Sequence, residues 1–494
     1  MVHDGLLAAT IVAGGGGRVK RGSRRFLRGA RRIWYPRRDM GPRRRPRLLA
    51  PARALTALAV VATLVAGCAP ASPRGGGQTA ASGPSRERLP SGVVLIAQEH
   101  RASEVVALQL WLSVGGRDEA PDELGLSHYL EHMLFKGTPT RPPGSIDRLI
   151  EGLGGQSNAY TSYDFTHYDI VLPAEHVGEG IALLADIAVN ASFVQSELDA
   201  ERKVVFEEMR LTEDNPDRFL VRRLYELAYR PHPYGRPILG TPELIGALTR
   251  ERLAAYYRKY YVPRHMTLVV VGAVRPDEVR RLALESFGRL GGDGARRPTP
   301  PPPPRLTPER RVEVPRPEKQ AYLGMAWRVA PTNEPDVYAV DLLTYILGDS
   351  PSSRLNQTLR ERERLVYAIE AGYGAWEKAG LVTVTARLDP ANVERAERSV
   401  LDVLRKVREE GVTEAERRRA VVTAESNYAF DIETAEGLAK TYGQAETTWT
   451  LENELAYLSR LRQVTAAEIQ AVARKYFGED NYARVRFVPA EPKR

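Results

Sequence analysis

The chain has a single cysteine among 494 residues, Cys68. One thiol excludes an intramolecular disulfide framework and any Cys-x-x-Cys metal cluster, so metal chemistry must use histidine and carboxylates. Histidine is itself scarce, at eight residues. A long apolar run is lacking too: the Ala/Leu/Val-rich stretch Leu55 to Val65 is about eleven residues, too short to span a bilayer as a helix. A basic folded surface is also missing, despite the formal charge of +9. Residues 1–54 hold 15 Lys and Arg against 2 Asp and Glu, a surplus of 13 that leaves the remainder at −4. Nucleic acid is therefore not an expected partner. What is present is enough apolar sequence to fold, 43% apolar against 27% charged, over a length that suits two or three domains.

The apolar run reads as a signal-peptide core, preceded by Arg43, Arg44, Arg45, Arg47 and Arg53. It ends in Leu64-Val65-Ala66-Gly67-Cys68, which resembles a bacterial lipobox, so Cys68 is the expected lipidation site and membrane anchor. Met40 makes a more ordinary start than Met1, which makes 1–67 an over-called start plus signal peptide. Residues 68–85, rich in Gly, Ser, Pro and Ala, read as a flexible tether. Ala69 in place of an aspartate favours the outer membrane, with the protein facing the periplasm.

A proline run, Pro300 to Pro304, divides the rest into 86–292 and 318–491, joined by a Pro-rich linker over 293–317. The halves read alike. The first opens with strand-like alternation at Val106, Leu108, Leu110, Leu112 and Val114 and returns to Thr267-Leu268-Val269-Val270-Val271; the second opens at Ala321 to Trp327 and closes with Tyr482 to Val488. The expected fold is α+β: two homologous domains, each a mostly antiparallel sheet with helices on one face, enclosing a chamber.

The segment Gly125 to Gly137 predicts a short helix. His128 and His132 are four residues apart, about 40° in direction, so both rings leave one face and can meet one Zn²⁺, with Glu131 beside them to hold a water. This is the inverse of the His-Glu-x-x-His order. A third ligand is needed, and the helix Ser196 to Met209 offers Glu201 and Glu208 on one stripe, with Glu207 about 100° away. Spacing alone leaves the choice open.

Three separated motifs in order, Leu126 to Thr138, Gly154 to Thr161 and Glu201 to Glu208, resemble the pitrilysin, insulin-degrading enzyme and mitochondrial processing peptidase family of zinc metallopeptidases, in its short two-domain form. The resemblance covers about 88–490. It implies one Zn²⁺ per chain held by His128, His132 and Glu208, with Glu201 helping to position the site and Glu131 as the base. It further implies that Arg360 and Tyr367 act on the substrate near the scissile bond, that Asn158, Ala159 and Tyr160 form a sheet edge pairing with an extended peptide, and that substrates are unfolded. A homodimer, or a heterodimer with a related chain, is the expected assembly. The competing expectation is a catalytically silent or half-site subunit serving as scaffold for another family member.

Overall fold

The computed structural model describes residues 83–292 and 294–490. Cys68, the leader and nearly all of the expected tether lie outside these described residues.

Six strands make the first sheet: β1 (Ser85–Arg88), β2 (Val94–Glu99), β3 (Val105–Leu112), β4 (Gln156–Thr161), β5 (Thr166–Pro173) and β6 (Met266–Gly272), in spatial order β1-β2-β6-β3-β5-β4. The second holds β7 (Arg310–Arg316), β8 (Ala321–Val329), β9 (Val366–Ala375), β10 (Gly380–Leu388) and β11 (Tyr482–Pro489), in order β7-β11-β8-β10-β9. Each sheet is antiparallel except for one pair, β2 with β6 and β7 with β11. Without β1, the two strand orders correspond one to one. The α+β fold of two alike halves is thus what the chain adopts.

The linker does not extend to 317, because β7 lies inside the span assigned to the Pro-rich linker. Its charged sequence and Pro315 hide a strand, yet it is an edge strand of alternating half-burial, where a missing N–H is tolerated. The second sheet therefore begins at Arg310.

Strand alternation gives each sheet two buried faces. On β3, Val106, Leu108, Leu110 and Leu112 pack with the first half's own helices, including Val177–Asn190, while Ala107 and Trp111 point the other way. That other face is covered by a helix from the second half, Ala435–Thr448, through Ala435, Leu438, Ala439 and Tyr442. The approach is so close that a Cβ on Gly443 would lie 2.0 Å from Trp111 Nε1. The second sheet repays the arrangement. Leu323, Met325 and Trp327 of β8 face its own helices, and Tyr322 and Ala326 face Leu220, Leu224 and Tyr225 of the first-half helix Pro216–Tyr229. There a Cβ on Gly324 would come within 2.7 Å of Leu224 Cδ1.

A buried ion cluster adds to this exchange. Arg117 lies 3.2 Å from Asp164 and 2.6 Å from Glu377 of the second half, and Arg297 from the linker reaches Asp118 at 3.2 Å and Glu377 at 3.0 Å.

Candidate metal centre

Two helices build the site. The first, Leu126–Leu134, is buried along its whole length. The second, Gln195–Asp214, runs until Asn215-Pro216, where proline forces a break and the Asn215 side chain caps the next helix by accepting from Arg218 N at 3.0 Å. Its residues Leu198, Val205 and Met209 are buried, which fixes its rotation about its axis and turns Glu201 and Glu208 towards the histidines.

His128 Nε2 lies 3.3 Å from Glu208 Oε2, and His132 Nε2 lies 3.5 Å from the same oxygen. Ligand atoms of the three residues all fall within 4.8 Å of one another. A tetrahedral zinc with bonds of about 2.0–2.1 Å has its donors roughly 3.3 Å apart, so this spacing is that of a ligand set. All three atoms are buried and make no hydrogen bond among the described residues. Buried polar atoms are rarely left so, and three converging on one point fit a divalent cation. Glu207, the carboxylate that spacing turned away, is half-exposed and paired with Arg210.

Glu201 does not join the trio. One of its oxygens meets His132 Nδ1 at 2.8 Å, the other Lys136 Nζ at 2.8 Å. The carboxylate thereby orients the ring so that Nε2 faces Glu208. Lys136 had no sequence signal beyond its place after the helix.

Glu131 is fully buried, and neither of its oxygens has a hydrogen-bond partner among the described residues. Burial pushes its carboxyl up to about 8. Burial, helped by neighbouring His132, holds His128 well below the usual imidazole value, hence neutral and able to ligate. Burial also opposes charge on His132, but the carboxylates of Glu201, Glu208 and Glu131 outweigh it and raise the ring to about 9. The three carboxylates favour positive charge beside them, which a cation would supply in the proton's stead.

A cavity of about 560 Å³ opens beside the trio, lined by His128, Glu208, Phe206, Met209, Ile238 and Leu239 among other first-half residues. The expected substrate edge is a sheet edge. β4 carries Asn158, Ala159 and Tyr160 and pairs with β5 alone. Ala159 is 4% exposed and Tyr160 9%, so these side chains face the interior. Arg360 and Tyr367 lie elsewhere. Arg360 sits in a wide helical turn, Asn356–Arg362, its side chain half-exposed and 3.7 Å from Glu361. Tyr367 is 56% exposed on β9, the outer strand of the second sheet. Neither lines the cavity beside the trio.

Residues 94–242 match the profile described as "Insulinase (Peptidase family M16)" and residues 247–422 that of "Peptidase M16 inactive domain". The boundary between the profiles falls before β6, which the structure pairs into the first sheet. A Mycobacterium bovis protein named as an uncharacterized zinc protease is 30% identical over 404 residues, covering 80% of this chain and 91% of its own length. A Bacillus subtilis protein named likewise is 27% identical, over 79% of this chain and 95% of itself. In fold, the crystal structure of a protease from Helicobacter pylori superposes with a TM-score of 0.79 at 24% identity, over 83% of this chain and 100% of that one. A peptidase M16 inactive domain from Pseudomonas fluorescens gives 0.76 at 19% identity, over 84% and 100%. With an inverted histidine pair, a glutamate brought to it from a second helix, and relatives of this extent, the chain belongs to peptidase family M16, the insulinase family.

Proposed function

We propose that the protein is a zinc-dependent endopeptidase acting on unfolded peptides or extended segments, with His128, His132 and Glu208 as ligands and Glu131 as general base. The observation that carries this reading is the convergence, at ligand spacing, of three buried atoms with no hydrogen-bond partner among the described residues, with the buried carboxylate of Glu131 on the same helix as the two histidines. Zn²⁺ held by these three side chains would supply Lewis acidity towards water and a peptide carbonyl. Glu131 accepts the proton of the attacking water and returns it to the leaving amine. Glu201, steadied by Lys136, keeps the His132 ring turned to the site. The place of β4 at the edge of its sheet supports an extended peptide as substrate, since an edge strand can take up a further strand through its main chain.

Arg360 and Tyr367 belong to this reading as groups a second chain supplies. Their exposure at the outer edge of the second sheet, away from the cavity beside their own chain's trio, supports a homodimer or a heterodimer with a related chain. Tyr367 would then donate to the oxyanion and Arg360 hold the substrate backbone. The leader adds lipidation at Cys68 and a periplasm-facing place at the outer membrane, tested by release of the Cys68→Ser protein into the soluble fraction.

The deciding experiment is hydrolysis of an unstructured peptide, with zinc content measured alongside. Glu131→Gln should keep its zinc and lose turnover; undiminished turnover in that variant removes Glu131 from the mechanism. A wild-type chain that takes up no zinc and cleaves nothing is the silent subunit. Mixing the Glu131→Gln and Tyr367→Phe chains should restore hydrolysis absent from either, and no restoration would argue against a shared site.

A further inference from the structure

The two histidines are held in different ways. His132 has a carboxylate at Nδ1. His128 Nδ1 is buried and has no hydrogen-bond partner among the described residues. The direction of the His128 ring is therefore set by packing and by the backbone that carries it. That backbone begins at Gly125, with φ of 92° and no side chain of its own to cap the helix. The first N–H groups of such a helix need an acceptor from elsewhere.

Glu119 provides it. One carboxylate oxygen accepts from Gly125 N at 2.9 Å and the other from Ser127 N, the residue just before His128, at 2.7 Å. Glu119 is 2% exposed, and its own carbonyl accepts from Arg236 Nη1 at 2.7 Å. The Ser127 hydroxyl is fixed in turn, 2.8 Å from the Tyr256 hydroxyl. Two charge-assisted bonds from one rigid carboxylate fix both the position and the tilt of a helix end, and negative charge there meets the positive end of the helix dipole. Burial pushes the carboxyl up to about 8, against the bonds from Ser127 and Gly125, which favour its charged form.

We infer that Glu119 is a positioning residue of the metal centre, doing for His128 through the helix end what Glu201 does for His132 by direct contact. The inference rests on the zinc reading above. Glu119 carries no motif in the segment Gly116 to Leu124, which holds Glu123 as well, and only its place against the helix reveals it.

The test uses the full chain and two readouts that need no turnover: zinc affinity by chelator competition, and the visible absorption of the Co²⁺-loaded protein. Glu119→Gln keeps the shape but can accept at one oxygen only. It should bind zinc about 10- to 100-fold more weakly, the size seen when a ligand loses its orienting partner, and alter the Co²⁺ spectrum. Val279→Ala, a cavity in a fully buried position of the helix Pro276–Ser286, should lower the melting temperature and leave both readouts unchanged. Where Glu119→Gln does not fold, Glu119→Asp, which keeps the charge but draws it back by one bond, is read by the same measurements. Zinc affinity within twofold of wild type and an unchanged spectrum would overturn the inference, as would an equal loss in Val279→Ala. If the wild-type chain binds no zinc, the zinc reading fails and takes this inference with it; if wild type and variant bind equally, only the role of Glu119 fails.

Discussion

The helix that follows β3 and the helix that follows β8 occupy the same place in the two halves and are put to opposite use. The first, Leu126–Leu134, and the second, Val337–Gly348, are both buried almost throughout. In the second, the interior is Val340, Leu342, Leu343 and Leu347, and its two buried polar side chains are satisfied: Asp341 accepts from the Tyr457 hydroxyl and Thr344 donates to Val340 O. In the first, His128, Glu131 and His132 are just as deep, and both nitrogens of His128, both oxygens of Glu131 and Nε2 of His132 have no hydrogen-bond partner among the described residues. A buried polar group without a partner costs about 1–3 kcal/mol, so the first half gives up stability where the second does not. Equal burial with unequal satisfaction separates a site from a core.

Substitutions sharpen this contrast, beginning with the largest effect. Glu131→Gln should reduce peptide hydrolysis by about 10²- to 10⁴-fold with little change in melting temperature, as expected for loss of a general base. The corresponding change in the other half, Leu343→Ala, should do the reverse. It should cost about 2–5 kcal/mol in denaturant unfolding and leave zinc content untouched. If Leu343→Ala lowered zinc content as much as it lowered stability, the two helices would not be separable in role. Gly443→Ala tests the packing that joins the halves. A methyl placed 2.0 Å from Trp111 Nε1 must displace the ring or the helix, for about 1–3 kcal/mol, read by the same unfolding midpoint. The smallest effect is one of pH. The bond from Arg354 holds Glu416 down at about 2, below its unfolded value, so its stabilisation is complete above about pH 4.5 and is lost as pH falls towards 2. Glu416→Gln should lower stability above about pH 4.5 and leave it nearly unchanged near pH 2, which flattens the acid limb; a loss as large at pH 2 as at neutral pH would point to lost packing instead.

Much of the metal centre was legible in the sequence because its signal is local. A spacing of four on a helix puts His128 and His132 on one face whatever surrounds them. The third member was not so fixed. Glu201, Glu207 and Glu208 share a helix, and only packing of Leu198, Val205 and Met209 decides that Glu208 reaches the trio, Glu201 stops at His132, and Glu207 turns to Arg210. The alternation of β3 and β8 announced strands, but alternation tells which faces are buried and not what buries them. Hence the exchange of Pro216–Tyr229 for Ala435–Thr448 could not be read from either half. β7 escaped because Pro315 argues against a central strand and is silent about an edge. Glu119 escaped because a carboxylate that caps at a distance of six to eight residues leaves no periodic trace.

The crossed helices bear on how this molecule can open. Gaping of one half from the other, like a clam about the proline run, would strip Leu220, Leu224 and Tyr225 from one sheet and Leu438, Ala439 and Tyr442 from the other in a single motion. At about 1.5–3 kcal/mol for each large side chain, that is on the order of 10 kcal/mol, comparable to the whole stability of a domain. A nick within Pro300 to Pro304 should accordingly leave two fragments that travel together through a sizing column. Entry of a peptide has to be governed by something other than separation of the halves.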